Sequence, residues 1–246
     1  MPLVSVLVVT GTCTGVGKTV VTAAVAALAA ARGASVAVVK PGQTGVAPGE
    51  PGDLDEVRRL AAVTDLHECA RFPDPLSPAA AARRAGVPPL RLAEVAGRIR
   101  ALADSRDLVL VEGAGGLLVR YDDEGATIAD LARWLGAAAV VAVRPDLGTL
   151  NHTALTLEAM AHRGVQLAGL VVGEWPDRPD LAMRSNIRDL ETIAARPLAG
   201  ALPAGAGALE AAEFLAAAHR SLAPAFGGSF DPAAFRDTHG LKKENP

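Results

Sequence analysis

The stretch Gly11-Thr12-Cys13-Thr14-Gly15-Val16-Gly17-Lys18-Thr19 constrains this chain more than any other. It follows an apolar run, Leu3 to Val9, and opens an Ala- and Val-rich segment of helical character. Strand, glycine-rich turn and helix start, in that order, make a phosphate loop. The N–H groups of Thr14, Gly15, Val16 and Gly17, together with those of the first helical turn, converge on one spot and favour an anion there. Lys18 adds a full positive charge for the β- and γ-phosphates, and Thr19 a hydroxyl for a magnesium ion. The general pattern leaves four residues between the first glycine and Gly-Lys-Thr. Gly11 leaves five, and Thr12 stands where that glycine belongs. A nucleoside triphosphate is the expected ligand.

Short apolar runs recur along the chain. Strands are predicted at Leu3 to Val9, Ser35 to Val39, Asp107 to Val111, Ala138 to Val143, Leu167 to Val172 and Leu198 to Leu202. They are β-branched and continuously apolar, as strands covered on both faces are. Between them Leu92, Val95, Ile99 and Leu102 share one helical face, as do Met183, Ile187 and Leu190. The alternation predicts an α/β fold, a mostly parallel sheet with helices on both faces, of the P-loop NTPase architecture. A single domain over residues 1–223 is expected. The stretch 224–246 is rich in Gly, Pro and charge and reads as a loosely held tail.

The 246 residues suffice for one large core, or at most two small ones. The net charge is −3 and the basic residues are scattered, so no nucleic-acid partner is expected. No apolar run approaches membrane-spanning length, and no membrane partner is expected. No charged region precedes the first apolar run, so no secretion signal is expected and the location predicted is cytoplasmic. Two cysteines, Cys13 and Cys69, are too few for a disulfide framework or a zinc site and read as free thiols. Cys13, inside the phosphate loop, is a site where oxidation or alkylation is expected to cost activity.

Ligands of such a sheet gather at the carboxyl ends of its strands. One run there ends in an acid and a glycine turn, Glu112-Gly113-Ala114-Gly115-Gly116. The acid stands where a phosphate-loop enzyme holds magnesium, and the turn lets backbone approach a ligand. Lys40, in Lys40-Pro41-Gly42-Gln43-Thr44-Gly45, adds cationic charge to the same edge. Asp53, at a predicted helix start, reads as a second magnesium acid or an N-cap. Asp146-Leu147-Gly148-Thr149-Leu150-Asn151-His152 leads into a helix whose free N–H groups suit a carboxylate. His152 lacks a partnered acid in the local sequence and is set aside.

Four motifs in this order resemble the dethiobiotin synthetase family. They are Gly11 to Thr19, Lys40 to Gly45, Val111 to Gly116 and Leu147 to His152. The resemblance runs from the first strand to about Ala206, and the extra loop residue is normal for that family. It implies a magnesium- and ATP-dependent ligase that closes a cyclic urea on 7,8-diaminononanoate with carbon dioxide, through a carbamate and a carbamic–phosphoric anhydride. It implies Lys40 and Lys18 as catalytic groups and Thr19, Asp53 and Glu112 as magnesium ligands. Thr14 and Thr44 would meet the amine and carbamate end of the substrate. The nucleotide would touch residues 14–19, Asp53, Glu112, Gly113, Ala114, Gly115, Gly173, Glu174, Pro203, Ala204 and Gly205. The substrate carboxylate would meet Leu147, Gly148, Thr149, Leu150 and Asn151 of a partner subunit, which implies a homodimer.

One departure concerns the base. Many family members read adenine with an Asn on the loop after the fifth strand, where this chain has Gly173-Glu174-Trp175-Pro176. The expectation is relaxed nucleotide choice. A nucleotide-switch ATPase of the chromosome-partitioning or division-site type would need a lysine early in the phosphate loop, and none occurs between Gly11 and Gly17. A cobalamin-pathway amidotransferase would need a further glutaminase domain with its cysteine.

Overall fold

The computed structural model describes residues 6–241. The first apolar run forms β1 (Val6–Gly11), buried at every position; its expected beginning at Leu3 lies outside the described residues. Gly15 and Gly17, both at positive φ, turn the chain into α1 (Lys18–Ala31). Then come β2 (Val36–Lys40), β3 (Gln43–Thr44), α2 (Asp53–Ala61), β4 (Leu66–Glu68), β5 (Arg71–Phe72), α3 (Pro78–Ala85) and α4 (Leu92–Ala103). After these follow β6 (Leu108–Glu112), α5 (Ile128–Leu135), β7 (Ala138–Val143), α6 (Thr149–His162) and β8 (Leu167–Trp175). The last described elements are α7 (Leu181–Ala194), β9 (Gly200–Pro203), α8 (Ala211–Ser221) and α9 (Pro232–His239).

Seven strands form one sheet in the order β4-β2-β6-β1-β7-β8-β9, and every neighbouring pair is parallel. The inner strands are apolar throughout because both faces are covered. One face packs on α1, α2 and α8 through residues such as Val21, Leu28, Val57, Leu60 and Phe214. The other packs on α4 to α7 through Leu92, Ile99, Leu131, Met160, Ile187 and Leu190. The helix faces expected around Ile99 and Ile187 are therefore core faces. The Ala-rich α1 buries ten consecutive or near-consecutive residues, Lys18 to Ala29, because small side chains let it lie close to the sheet and to α2.

Three differences from the sequence reading stand out. The short pair β3 and β5 and the edge strand β4 were not expected; runs of two and three residues are too short to show a period. β8 continues to Trp175, so Gly173 and Glu174 lie in a strand and not on a loop after it. The tail expectation is also corrected for residues up to Leu241. Pro224–Phe226 form a 3-10 turn and α9 follows. Phe226 is buried on the α1 and α8 side, Phe230 on the opposite side, and Phe235 meets the Trp175 ring edge-on at 5.1 Å. Three of the chain's five phenylalanines lie in this stretch, and their burial outweighs the Gly, Pro and charge around them.

Candidate active site

β2, β6 and β1 are neighbours in the sheet and end at Lys40, Glu112 and Gly11. The register that pairs Val39 with Val111 and Val9 with Glu112 brings these ends level. Lys40 Nζ stands 2.8 Å from Glu112 Oε1 and 2.5 Å from Asp53 Oδ2. Lys40 and Glu112 are fully buried, and Asp53 is about one-third exposed (34 %). Burial alone pulls the Lys40 ammonium towards its neutral form, but Glu112 and Asp53 outweigh it and hold its pKa above the usual lysine value. Burial likewise disfavours the Asp53 anion, and Lys40 reverses this, so Asp53 is held below the usual carboxylate range.

Lys18 completes the cationic pair. Its Nζ donates to the Cys13 carbonyl at 3.0 Å, which folds the side chain back over the loop. Burial first, and the Lys40 charge second, lower its pKa. Thr19 Oγ1 donates to Glu112 Oε1 at 2.9 Å. The second Glu112 oxygen, Oε2, is buried without a hydrogen-bond partner. An orphaned buried carboxylate oxygen is costly unless a cation or water meets it. Among the described residues no group of three His, Cys, Asp or Glu side chains gathers as a metal site. Magnesium needs none; it takes one or two carboxylates, substrate phosphates and water. The oxygens of Thr19, Asp53 and Glu112 fit that ion.

Asp53 does not cap its helix. Gly52 is the N-cap, and the Asp55 carboxylate accepts from Gly52 N at 2.8 Å. Asp53 is the first helical residue; its N–H donates to Gln43 Oε1 at 2.9 Å, and its carboxylate is left for Lys40. Gln43 is buried and was not singled out from the sequence, although it lies inside a motif that was.

A cavity of about 800 Å³ opens over these groups. Thr14, Gly15, Gly17, Thr44, Ala114 and Gly115 line it beside Lys18, Thr19, Lys40, Asp53 and Glu112. Its far wall, Pro75 to Pro78, had no sequence signal; the turn after β5 brings it there. A second hollow of about 340 Å³ meets the first at Gly15 and is walled by Val16, Arg144, Pro145, Glu174, Met183 and Ala204. Glu174 lines both. Gly173 has a different place: a Cβ there would strike the Val16 carbonyl, so its missing side chain lets β8 lie against the phosphate loop. Gly113 packs under Ile128, and Pro203 and Gly205 are exposed outside both linings. A larger hollow, about 1000 Å³ between α7 and α9, contains none of the expected residues.

The residues at the start of α6 do not reach the cavity of their own chain. Leu147 is 87 % exposed, Gly148 and Asn151 are exposed, and Leu150 is half-buried. Thr149 is buried with its hydroxyl unpartnered. His152 is exposed on the same helix, and Cys13 is exposed at the loop.

A family profile described as an AAA domain matches residues 5–208. An ATP-dependent dethiobiotin synthetase BioD of Frankia casuarinae is 67 % identical over 94 % of this chain and 97 % of its own. The chain belongs to the dethiobiotin synthetase family. Other dethiobiotin synthetases agree: that of a Parafrankia strain is 64 % identical over 96 % of this chain and 100 % of its own. That of Streptomyces coelicolor is 57 % identical over 96 % and 99 %. Solved structures add the fold alone. The septum site-determining protein MinD of Pyrococcus horikoshii, in complex with Mg-ADP, superposes with TM-score 0.56 at 15 % identity, over 87 % of this chain and 91 % of that one. The chain shares the P-loop scaffold with that protein, and a shared scaffold does not by itself carry a shared function. Among the described residues of this family member, no helix is long and apolar enough to cross a membrane.

Proposed function

We propose that this chain converts 7,8-diaminononanoate, carbon dioxide and ATP into dethiobiotin, ADP and phosphate, and that it does so at the cavity over Lys40. ATP-dependent dethiobiotin synthesis is the activity its family is named for. The observation that carries the finer reading is the buried Lys40 ammonium, 2.8 Å from Glu112 and 2.5 Å from Asp53, facing a cavity that Lys18 and Thr19 also line.

One substrate amine adds to carbon dioxide; a C–N bond forms, the nitrogen loses a proton, and a carbamate results. A carbamate oxygen attacks the γ-phosphorus, the bond to the bridging oxygen breaks, and ADP leaves. The second amine attacks the activated carbon, phosphate departs, and the ring closes as that amine loses its proton. The carbamate and the triphosphate are both anions and repel as they meet. Lys40 beside the carbamate and Lys18 beside the phosphates offset that repulsion with fixed charge, at little reorganisation cost. Thr14 and Thr44 hold the amine and carbamate end in line, which raises the effective concentration for closure. The N–H groups of residues 14–17 and the turn at Gly113, Ala114 and Gly115 receive the phosphates. Thr19, Asp53 and Glu112 hold magnesium, which when bound neutralises charge on the β- and γ-phosphates.

The base enters the second hollow, beside Glu174 and Ala204, with backbone of Gly173, Pro203 and Gly205 nearby. A carboxylate only accepts hydrogen bonds, so Glu174 does not reproduce the paired donor and acceptor of an amide. Several nucleoside triphosphates therefore serve. The exposed start of α6, with Gly148, Thr149, Leu150 and Asn151 and with Leu147 ahead of it, receives the substrate carboxylate of a second copy. The protein works as a cytoplasmic homodimer on small molecules.

The test is product detection by mass spectrometry after mixing protein, diamine, bicarbonate, magnesium and one nucleotide at a time. Dethiobiotin is expected with ATP, CTP and GTP. No dethiobiotin with any nucleotide would overturn the function, and product with ATP alone would overturn the relaxed choice of base.

A further inference from the structure

Tyr121 is the chain's one tyrosine, and it is completely buried. Its hydroxyl oxygen accepts from the Ala114 N–H at 2.7 Å. The Ala114 N–H and the Gly113 carbonyl belong to one peptide group, and in a trans peptide they point in opposite directions. Lys40 Nζ donates to that Gly113 carbonyl at 3.3 Å. One peptide is therefore gripped at both ends, by Tyr121 on one side and by the Lys40 ammonium on the other. Rotating it would break both bonds together.

The surroundings reinforce the grip. The Tyr121 ring lies against the turn after β2; a Cβ added at Gly42 would sit 3.5 Å from its Cε1. The Tyr121 backbone is tied down by a 2.9 Å bond from its N–H to the Ala126 carbonyl. The gripped turn is rich in glycine, so nothing intrinsic holds its peptides in one orientation. Gly115, at φ +66°, passes 3.6 Å from Thr14 Oγ1 when given a Cβ, so the same turn abuts the phosphate loop.

We propose that Tyr121 is a positioning residue for the reaction: by holding the Gly113–Ala114 peptide it presents a carbonyl to Lys40 and keeps the ammonium aimed between Glu112, Asp53 and the cavity. This rests on the assignment of Lys40 to the carbamate. Tyr121 itself touches no reacting atom. It acts through a carbonyl that shares Lys40 with two carboxylates, and its loss frees the peptide to turn away. The buried Ala114 N–H would then have no acceptor.

The experiment is steady-state kinetics of Tyr121→Phe, which keeps the ring and removes the acceptor. kcat is expected to fall about tenfold or more, with KM for the triphosphate within about twofold, because Lys40 acts on the transition state more than on nucleotide binding. A cooperative melt checks that the variant is folded. A folded variant with parental kcat overturns the proposal, and so does a parallel change in every constant. If Tyr121→Phe does not fold, the parent decides. Grown with 3-fluorotyrosine it carries a single fluorine, and that resonance is expected to shift when magnesium and a non-hydrolysable triphosphate are added, since charge arriving at Lys40 polarises the shared peptide. An unmoved line overturns the proposal. Failure of the parent to make dethiobiotin would sink the functional assignment, and with it the reaction that Tyr121 serves; a parent that makes dethiobiotin but shows an unmoved fluorine line sinks the role of Tyr121 alone.

Discussion

Lys18 and Lys40 carry like charge into one small volume, but their surroundings differ. Lys40 has two carboxylates within 2.8 Å, whereas Lys18 is held by a carbonyl. Lys18→Gln removes a charge without stranding a buried anion. Turnover is expected to fall on the order of a hundredfold or more, with the melting temperature nearly unchanged; parental turnover in that variant would remove Lys18 from the chemistry. Lys40→Gln differs because Glu112 is wholly buried. Taking away one partner of a buried ion pair costs about 3–5 kcal/mol. Both turnover and stability should drop, and adding Glu112→Gln should recover stability in denaturant titrations but not turnover. Burial of a side chain at a strand end depends on what covers it, and the buried Lys40 is covered together with the carboxylates it pairs. The pairing of Lys40 with Glu112 was half legible: each residue ended an apolar run, but their adjacency needed the strand order.

At the scale of the element, α9 is the part that composition misrepresented. Its Phe235 and His239 rings pack on Trp175, at 5.1 Å and 5.6 Å between centroids, at the end of the strand that carries Glu174. Burial, and then the charge of Arg184 on α7, lower the His239 pKa. A histidine depressed in the folded state binds fewer protons there than when unfolded. Stability then rises with pH between the folded pKa and the unfolded one, and is lost as pH falls below about 6.5. Acidification should therefore loosen α9. Trp175 emission, recorded in a Trp134→Phe background, is expected to change between pH 7 and pH 5 and to lose that dependence in His239→Phe. A flat signal would show that α9 docking is indifferent to the imidazole charge. β8 gives a second lesson. Its last residues read as loop because Gly, Glu and Pro are poor strand formers, but a neighbouring strand and the phosphate loop keep them extended.

For the whole molecule, the start of α6 is the feature that one chain leaves unused. Leu147 and Leu155 are 87 % and 57 % exposed, with Asn151 one helical turn before Leu155. A two-fold partner would cover this apolar stripe and bring the α6 N–H groups to the other copy's cavity. Two inactive variants should then complement. Lys18→Gln disables the cavity of every chain that carries it, and Leu155→Asp, a separate test, weakens assembly. Lys18→Gln mixed with Gly148→Pro, which damages the carboxylate end, is expected to regain roughly a quarter of parental turnover through intact hybrid sites. No recovery on mixing, or full activity of a monomeric Leu155→Asp in the ultracentrifuge, would remove the composite site.

The sequence by itself determined the elements whose signal is local. The phosphate loop followed from glycines at fixed offsets from a lysine, the sheet from unbroken β-branched runs, and the helix faces from residues recurring every three or four positions. Tertiary structure alone decided what depends on distant segments meeting. It chose the strand order that sets Lys40 against Glu112, gave the capping of α2 to Asp55 so that Asp53 turns to the lysine, and buried Tyr121 behind the glycine turn. The reason is physical: backbone preference acts over a few residues, whereas charge pairing and burial are settled by whichever groups the packed sheet brings within a few ångströms of each other.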